Sequence, residues 1–246
     1  MSKTYFFVSD LHFGLLSKEK ENRREELFIE FLNYVKENGS ELFILGDLFD
    51  YWFEYKRVIQ KGFFRTFTAL KSITDSGIPV HYLIGNHDFM HRDFFKKELG
   101  VNLHEKEVDV TLDDKKFFLG HGDGLIKNDT GYNILKKVLR NKFLQKTFSL
   151  IHPDLGIYVA SSSSRKSRDY TSKKNYGEGD GLFEAARNKI DSGFDYVLFG
   201  HSHVRAFENY NNGYYINLGT WLDKPCYGIY KNQKFEIVDW NNNGEN

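Results

Sequence analysis

Short apolar runs closed by glycine or a polar turn recur along the chain: the apolar parts of TYFFVSD, ELFILGD, VHYLIGNHD, KFFLGHGD and YVLFGHSH. A continuous run of four to six apolar residues reads as a strand buried on both faces, because a half-exposed strand would alternate. Between the first three runs lie two segments of helical period. In residues 17–38, Leu27, Phe28, Phe31, Leu32 and Val35 recur on one face and Gly39 supplies the stop. In residues 58–76, Phe63, Phe64, Phe67, Leu70 and Ile73 do the same, closed by Gly77 and Pro79. The order strand, helix, strand, helix, strand predicts right-handed crossovers and a mainly parallel sheet, an α/β fold.

Further on, residues 91–99 read as a short helix. Residues 108–119 read as a hairpin turning at Asp113-Asp114, since Val108, Val110 and Leu112 alternate with polar residues. From about residue 128 to 180 the character changes. Residues 132–148 read as a helix carrying Leu135, Val138, Leu139, Phe143, Leu144 and Phe148 among basic residues. Four serines, Ser161 to Ser164, and a basic run from Arg165 to Lys174 follow. A helix over 181–192 follows. The remainder is antiparallel β with turns at Asn211-Asn212-Gly213 and Lys231-Asn232-Gln233, and a disordered tail. We expect a single domain, 1–246, with an insertion at 128–180. That insertion falls between two of the apolar runs and must emerge beside their ends, which makes it a lid or recognition element; the alternative is a solvated helical hairpin with a polar linker.

Composition narrows the class. With 40% hydrophobic and 28% charged residues, this is an ordinary globular chain, and 23 Phe with 15 Tyr predict an aromatic core. Thirty-four basic residues balance 34 acidic ones, which argues against a nucleic-acid binder that works through a global basic field. Cys226 is the sole cysteine and reads as a small apolar filler in a reducing compartment. Met1-Ser2-Lys3 leads straight into a strand without a leader pattern, and no run approaches the roughly 18 apolar residues of a membrane span. The expectation is a cytoplasmic protein whose membrane contact is peripheral.

All five apolar runs end in residues able to hold a cation: Asp10 and His12; Asp47; Asn86, His87 and Asp88; His121 and Asp123; His201 and His203. Open α/β sheets place their ligands at such carboxyl ends. A lone DxH or GD is more often a turn, but five such ends in one chain point to a metal centre. Hydrolysing a phosphoester at neutral pH needs a strong nucleophile and neutralised phosphoryl oxygens, and two divalent ions about 3.5–4 Å apart supply both. We therefore read a two-metal phosphoesterase with Asp47 shared between the ions. Asp10, His12 and His203 complete one site, and Asn86, His121 and His201 the other. Asp10 and His12, like His201 and His203, are two apart and would point the same way on an extended strand. Mixed imidazole and oxygen donors suit Mn²⁺, Fe or Zn²⁺ and fit Ca²⁺ poorly. His87 points away from Asn86 and faces substrate as a cation or proton donor, with Asp88 or Asp50 holding its ring. Asp50 is open between a capping and a supporting role. His81, His91, His104 and His152 fit no such pattern and read as structural or surface residues.

The ordered set DLH (10–12), GDLFD (46–50), GNHD (85–88), GHGD (120–123) and GHSH (200–203) resembles the calcineurin-like metallophosphoesterases across nearly the whole chain. The resemblance implies a sandwich of two mixed β-sheets flanked by helices, here with a helical cap insertion. ILGDLFDYW, HGDGLIKNDTGYN with the helix that follows, and SRDYTSKK are similar, more narrowly, to the bacterial UDP-2,3-diacylglucosamine hydrolases of the lipid A pathway. That likeness implies two Mn²⁺ ions and attack on the α-phosphorus of a UDP-linked glycolipid, giving UMP and 2,3-diacylglucosamine 1-phosphate. It further implies work at the cytoplasmic face of the inner membrane, while the strand-end reading above assigns catalysis to His87 and Asp88. Substrate contacts would come from Asn86, His87, Asp129, Ser167, Thr171 and Lys174, with the cap holding the acyl chains. Phe143, Leu144, Phe148, Leu150 and Ile151 could offer an apolar groove, and Lys136, Lys137, Arg140, Lys142 and Lys146 could meet anionic headgroups; a plain amphipathic core helix explains the apolar set as well. One departure stands out: GNHD replaces the family's GNRD, so His87 stands where an arginine would bind phosphate. A relative cleaving a soluble nucleotide or another phosphoester is the alternative.

Overall fold

Every residue of β1 (Thr4–Val8) is buried, because its two faces serve two different cores. Phe6 and Val8 pack beneath helices α1 (Lys18–Asn38) and α2 (Phe64–Asp75), together with Phe28, Phe31 and Leu70. Tyr5 and Phe7 face the other way, into a cluster with Phe43, Phe117, Leu198 and Ile216. The two-residue period of the strand thus divides one apolar run between two cores. The computed structural model describes residues 3–125, 136–171 and 181–240, with the backbone alone over 163–171.

Two mixed sheets stack face to face. The first runs β11 (Lys234–Asp239), β10 (Cys226–Lys231), β1, β2 (Glu41–Ile44), β3 (Val80–Leu83), β4 (Asn102–His104). From β1 to β4 it is parallel, and the C-terminal hairpin adds antiparallel beside β1. The second runs β5 (Val108–Leu112), β6 (Lys115–Leu119), β7 (Tyr196–Phe199), β9 (Gly213–Leu218), β8 (Arg205–Tyr210). Here β6, β7 and β9 are parallel and the outer pairs antiparallel. The ring of Phe7 stacks on Phe43 at 5.1 Å and on Phe117 at 6.1 Å, which joins the sheets through aromatic contacts. The outer face of the second sheet is closed by the last helix (Leu182–Asp191), through Leu182, Ala186 and Ile190. The expected α/β sandwich of two mixed sheets flanked by helices is therefore the observed fold.

The helices depart from expectation where local chemistry interrupts their period. α2 starts at Phe64, not 58, because Gly62 takes a left-handed φ of 108°. The short helix α3 covers Phe94–Lys97. The helix expected over 132–148 breaks: residues 136–139 are helical, then Asn141 turns extended and its side chain accepts the N–H groups of Phe143 and Leu144, starting α4 (Lys142–Phe148). The serine run is not a linker. It lies inside α5 (Pro153–Thr171), with the Ser161 hydroxyl bonded back to the Tyr158 carbonyl. The last helix, Leu182–Asp191, is α6. Residues 128–135 and 172–180 of the expected insertion lie outside the described residues. What is described docks on the loop after β2: the Phe148 ring lies 4.9 Å from Phe53, and a Cβ at Gly156 would collide with the Tyr55 hydroxyl. Among the described residues, no helix is long and apolar enough to cross a membrane.

Candidate metal centre

Strands β1, β2 and β3 of one sheet and β6 and β7 of the other bring their carboxyl ends to one end of the sandwich, where backbone bonds join the loops. The Asp10 N–H donates to Gly46 at 3.2 Å, His12 to Asp47 at 2.9 Å and Gly200 to His121 at 3.0 Å. The His201 N–H reaches across to the Asp10 carboxylate at 3.0 Å. Asp10, His12, Asp47, His201 and His203 all adopt left-handed φ values, from 51° to 68°. Non-glycine residues take that conformation at a cost, so five of them together mark a site whose surroundings enforce it. This corrects the pleat argument. Asp10 with His12, and His201 with His203, lie beyond their strand ends, and tight turns rather than extended backbone aim them. The turns need room: a Cβ at Gly85 would fall on the Asp47 carboxylate, and one at Gly46 would enter the His121 ring.

Two sets of donors converge. In the first, His12 Nε2 lies 3.0 Å from His203 Nε2 and 3.6 Å from Asp10 Oδ1, and His203 Nε2 lies 3.3 Å from Asp10 Oδ1. In the second, Asn86 Oδ1 lies 2.9 Å from His121 Nε2 and 2.8 Å from His201 Nδ1. Asp47 stands between the sets, its Oδ2 3.2 Å from His121 Nε2 and 3.8 Å from His12 Nε2. Donors each about 2.0–2.2 Å from one ion necessarily lie roughly 3 Å apart, so the spacing fits cations in both places. Asp10, His12 and His203 form one group of potential ligands, and Asp10, Asp47 and His121 another. The His121 Nδ1–H donates to the Leu45 carbonyl at 2.8 Å, which fixes the ring with Nε2 facing the cluster. Ser9, which the sequence did not single out, donates its hydroxyl to Asp10.

His87 also approaches, grouping with His12 and Asp47. Its backbone N–H donates to Asp47 Oδ1 at 2.9 Å, and its ring Nδ1 bonds the Asp50 carbonyl at 3.0 Å. The Asp50 carboxylate is buried 3.8 Å from His87 Nδ1 and 4.0 Å from His12 Nδ1. Asp50 is thus a support for two rings, not merely a cap. Asp88 does something other than hold His87. It is fully buried, and it accepts the N–H groups of Leu48 at 2.7 Å, Phe49 at 3.3 Å and Gly85 at 2.9 Å, and the Tyr82 hydroxyl. It ties the loop after β2 to the loop after β3, and so sets Asp47 against Asn86. Asp129 and Lys174 lie outside the described residues, as do the side chains of Ser167 and Thr171.

Electrostatically the site calls for positive charge. Burial pushes Asp10 and Asp47 up, but the imidazoles around them, His12 and His203 for the one, His121 and His87 for the other, reverse that and hold both well below the usual range. Burial lowers His121, yet Asp47 and Asp10 outweigh it and raise the ring to about 10. A proton there answers the same negative field that a divalent ion would answer. Burial and the neighbouring His121 push His201 down to about 4. Burial, with the charge of Asp47, lifts Asp88 to about 7 against the pull of its donors. Asp10, His12, Asp47 and His121 are all at most 4% exposed, whereas His203 is 32% and His87 16% exposed, so the cluster opens to solvent past those two rings.

The calcineurin-like phosphoesterase family model matches residues 3–205. Proteins named UDP-2,3-diacylglucosamine hydrolase are similar over most of the chain. The one from Porphyromonas gingivalis is 27% identical, covering 94% of this chain and 95% of its own. That from Haemophilus influenzae is 29% identical over 89% and 91%, and that from Proteus mirabilis 25% over 95% and 98%. Among solved structures, an archaeal phosphodiesterase matches with a TM-score of 0.50 at 17% identity, covering 96% of this chain and 99% of its own, a likeness of fold. Membership implies divalent metal ions, for which the donor groups described above are available. The chain is a hydrolase and belongs to the calcineurin-like phosphoesterase family.

Proposed function

We propose that this hydrolase cleaves the diphosphate of UDP-2,3-diacylglucosamine, releasing UMP and 2,3-diacylglucosamine 1-phosphate. The observation that carries the reading is the pair of donor sets meeting at Asp47 in a chain whose relatives bear that name over almost their full length. Asp10, His12 and His203 would hold one ion and Asn86, His121 and His201 the other, with Asp47 available to both. Mn²⁺ is the favoured metal, with Fe or Zn²⁺ compatible with the same donors. Two such ions, when bound, would supply a nucleophile from water at neutral pH and neutralise charge on the phosphoryl oxygens.

The remaining residues bind, orient and move protons. His87, open to solvent at the rim and held by the Asp50 carbonyl, meets the phosphate as cation or proton donor. Asn86 stands beside it, and Asp88 positions both through the loop it braces. Asp129, Ser167, Thr171 and Lys174 contact sugar and phosphates. The insertion at 128–180 is the acyl-binding cap: Phe143 is 71%, Leu150 84% and Tyr158 68% exposed, an apolar surface without a covering element among the described residues. Lys137, Lys142 and Lys146 alternate with it and favour the anionic cytoplasmic face of the inner membrane, approached peripherally. The partners are thus a UDP-linked glycolipid and a membrane surface, with no nucleic acid.

The test is Mn²⁺-dependent turnover of UDP-2,3-diacylglucosamine beside a non-acylated UDP-sugar and a simple phosphodiester, with products identified. Selective release of UMP from the acylated compound supports the reading. Equal or faster cleavage of the small esters moves the assignment to a soluble nucleotide or other phosphoester, the outcome that His87 in GNHD would favour.

A further inference from the structure

Lys136 and Arg140 are one helical turn apart, so both side chains leave the same face of the first described part of the insertion. Both reach Asp123, which is 6% exposed. Lys136 Nζ lies 2.7 Å from Asp123 Oδ2 and donates to the Asp123 carbonyl at 2.7 Å. Arg140 Nη2 donates to Asp123 Oδ2 at 3.3 Å and to the Gly85 carbonyl at 3.1 Å. Asp123 is two residues beyond His121, and Gly85 immediately precedes Asn86. One guanidinium from the insertion therefore joins the two loops whose side chains, Asn86 and His121, meet at 2.9 Å.

The other donor set has a different support. There the His12 carbonyl accepts from Arg24 Nη2 at 2.8 Å, and Arg24 belongs to α1 of the sandwich. Both halves are held by the sandwich, but only the Asn86–His121 half is, among the described residues, also tied to the insertion.

We propose that Lys136 and Arg140 are positioning residues that make the affinity of the Asn86–His121–His201 ion depend on docking of the insertion, while the Asp10–His12–His203 ion is independent of it. The inference rests on the two-ion reading and not on the identity of the substrate. Without the two side chains, the Asp123 carboxylate loses its ion pairs to the insertion and the guanidinium link from Asp123 to the Gly85 carbonyl is gone, so the loops that carry Asn86 and His121 are less tightly joined. Loss of such supporting contacts typically weakens metal binding about 10–100-fold.

Full-length protein carrying Arg140→Met and Lys136→Met, singly and together, is titrated with Mn²⁺ by calorimetry and followed by electron paramagnetic resonance. The wild type should bind two ions with a spin-coupled spectrum. In the double variant one ion should weaken about 10–100-fold while the other is unchanged, so that an uncoupled mononuclear signal appears at intermediate Mn²⁺. Arg140→Lys should recover part of the loss, since it restores one donor. Two ions bound with wild-type affinities overturn the proposal, and so does equal weakening of both ions, which marks a general loss of fold. Fewer than two ions in the wild type refutes the two-ion reading itself.

Discussion

His87 has two claims on it at the level of single residues. It groups with His12 and Asp47 as a third donor, yet its Nδ1 is taken by the Asp50 carbonyl and its ring, like that of His203, is partly open to solvent. The function proposed above has it act on substrate. His87→Ala should keep both ions and lower kcat by about 10²–10⁴-fold. Metal analysis beside kinetics checks this, and loss of an ion would make His87 a ligand instead.

The histidines away from the centre contribute to the acid sensitivity of stability. His81 bonds His104 at 3.0 Å and stacks on Phe43; burial, and then His104, hold it down to about 4. His91 is packed among Trp52, Tyr82 and Phe95, and burial holds it down to about 3. Both are lowered from 6.5. Between those values the unfolded chain binds more protons than the folded one. Their stabilising contribution is therefore complete above pH 6.5 and falls as pH drops, by up to about 1.4 kcal/mol per pH unit for each ring. Thermal melts from pH 8 to 4 should show this slope, and it should be shallower in His91→Phe. Equal slopes in the two proteins would place the acid sensitivity elsewhere.

Among the elements, α4 carries the most specific prediction. Phe143 is 71% and Leu144 43% exposed, so replacing both by serine should alter stability by no more than about 0.5 kcal/mol. If these side chains bury against acyl chains, each is worth about 1.5–3 kcal/mol of substrate binding. The double variant should raise KM for an acylated substrate at least about 10-fold while sparing a small chromogenic ester. Equal effects on both substrates would count against an acyl surface.

The same element shows where sequence patterns fail. Each of the five apolar runs became a strand because continuous burial on two faces leaves few other readings. The hairpin at Asp113-Asp114 was equally legible, since both residues take the left-handed φ that such a turn demands. Helix boundaries were less so. Asn141 starts a helix by capping it, and in a linear pattern it reads as one more polar residue within a period. A run of four serines carries no helical signal in a linear pattern because serine favours turns, but in α5 the Ser161 hydroxyl bonds back to the preceding turn and the helix continues. Strand β4, only three residues long, has no period to detect.

At the scale of the molecule, the sandwich places five loops from two sheets at one end, and the donors named from the strand ends do meet there. Their candidacy was legible because the residue types able to hold a cation recur at the strand ends. What aims them was not: left-handed turns at five donors, the Asp88 brace and the Arg140 bridge all depend on tertiary contacts. Asp123 was visible within GHGD, and Lys136 with Arg140 showed helical spacing, but nothing linear joins them.

Whether two ions share Asp47 is decided by anomalous diffraction from crystals soaked in Mn²⁺. Two peaks should appear about 3.5–4 Å apart, one among Asp10, His12 and His203, the other among Asn86, His121 and His201, with the Asp47 carboxylate between them. A single peak, or two that do not flank Asp47, would contradict the two-ion reading.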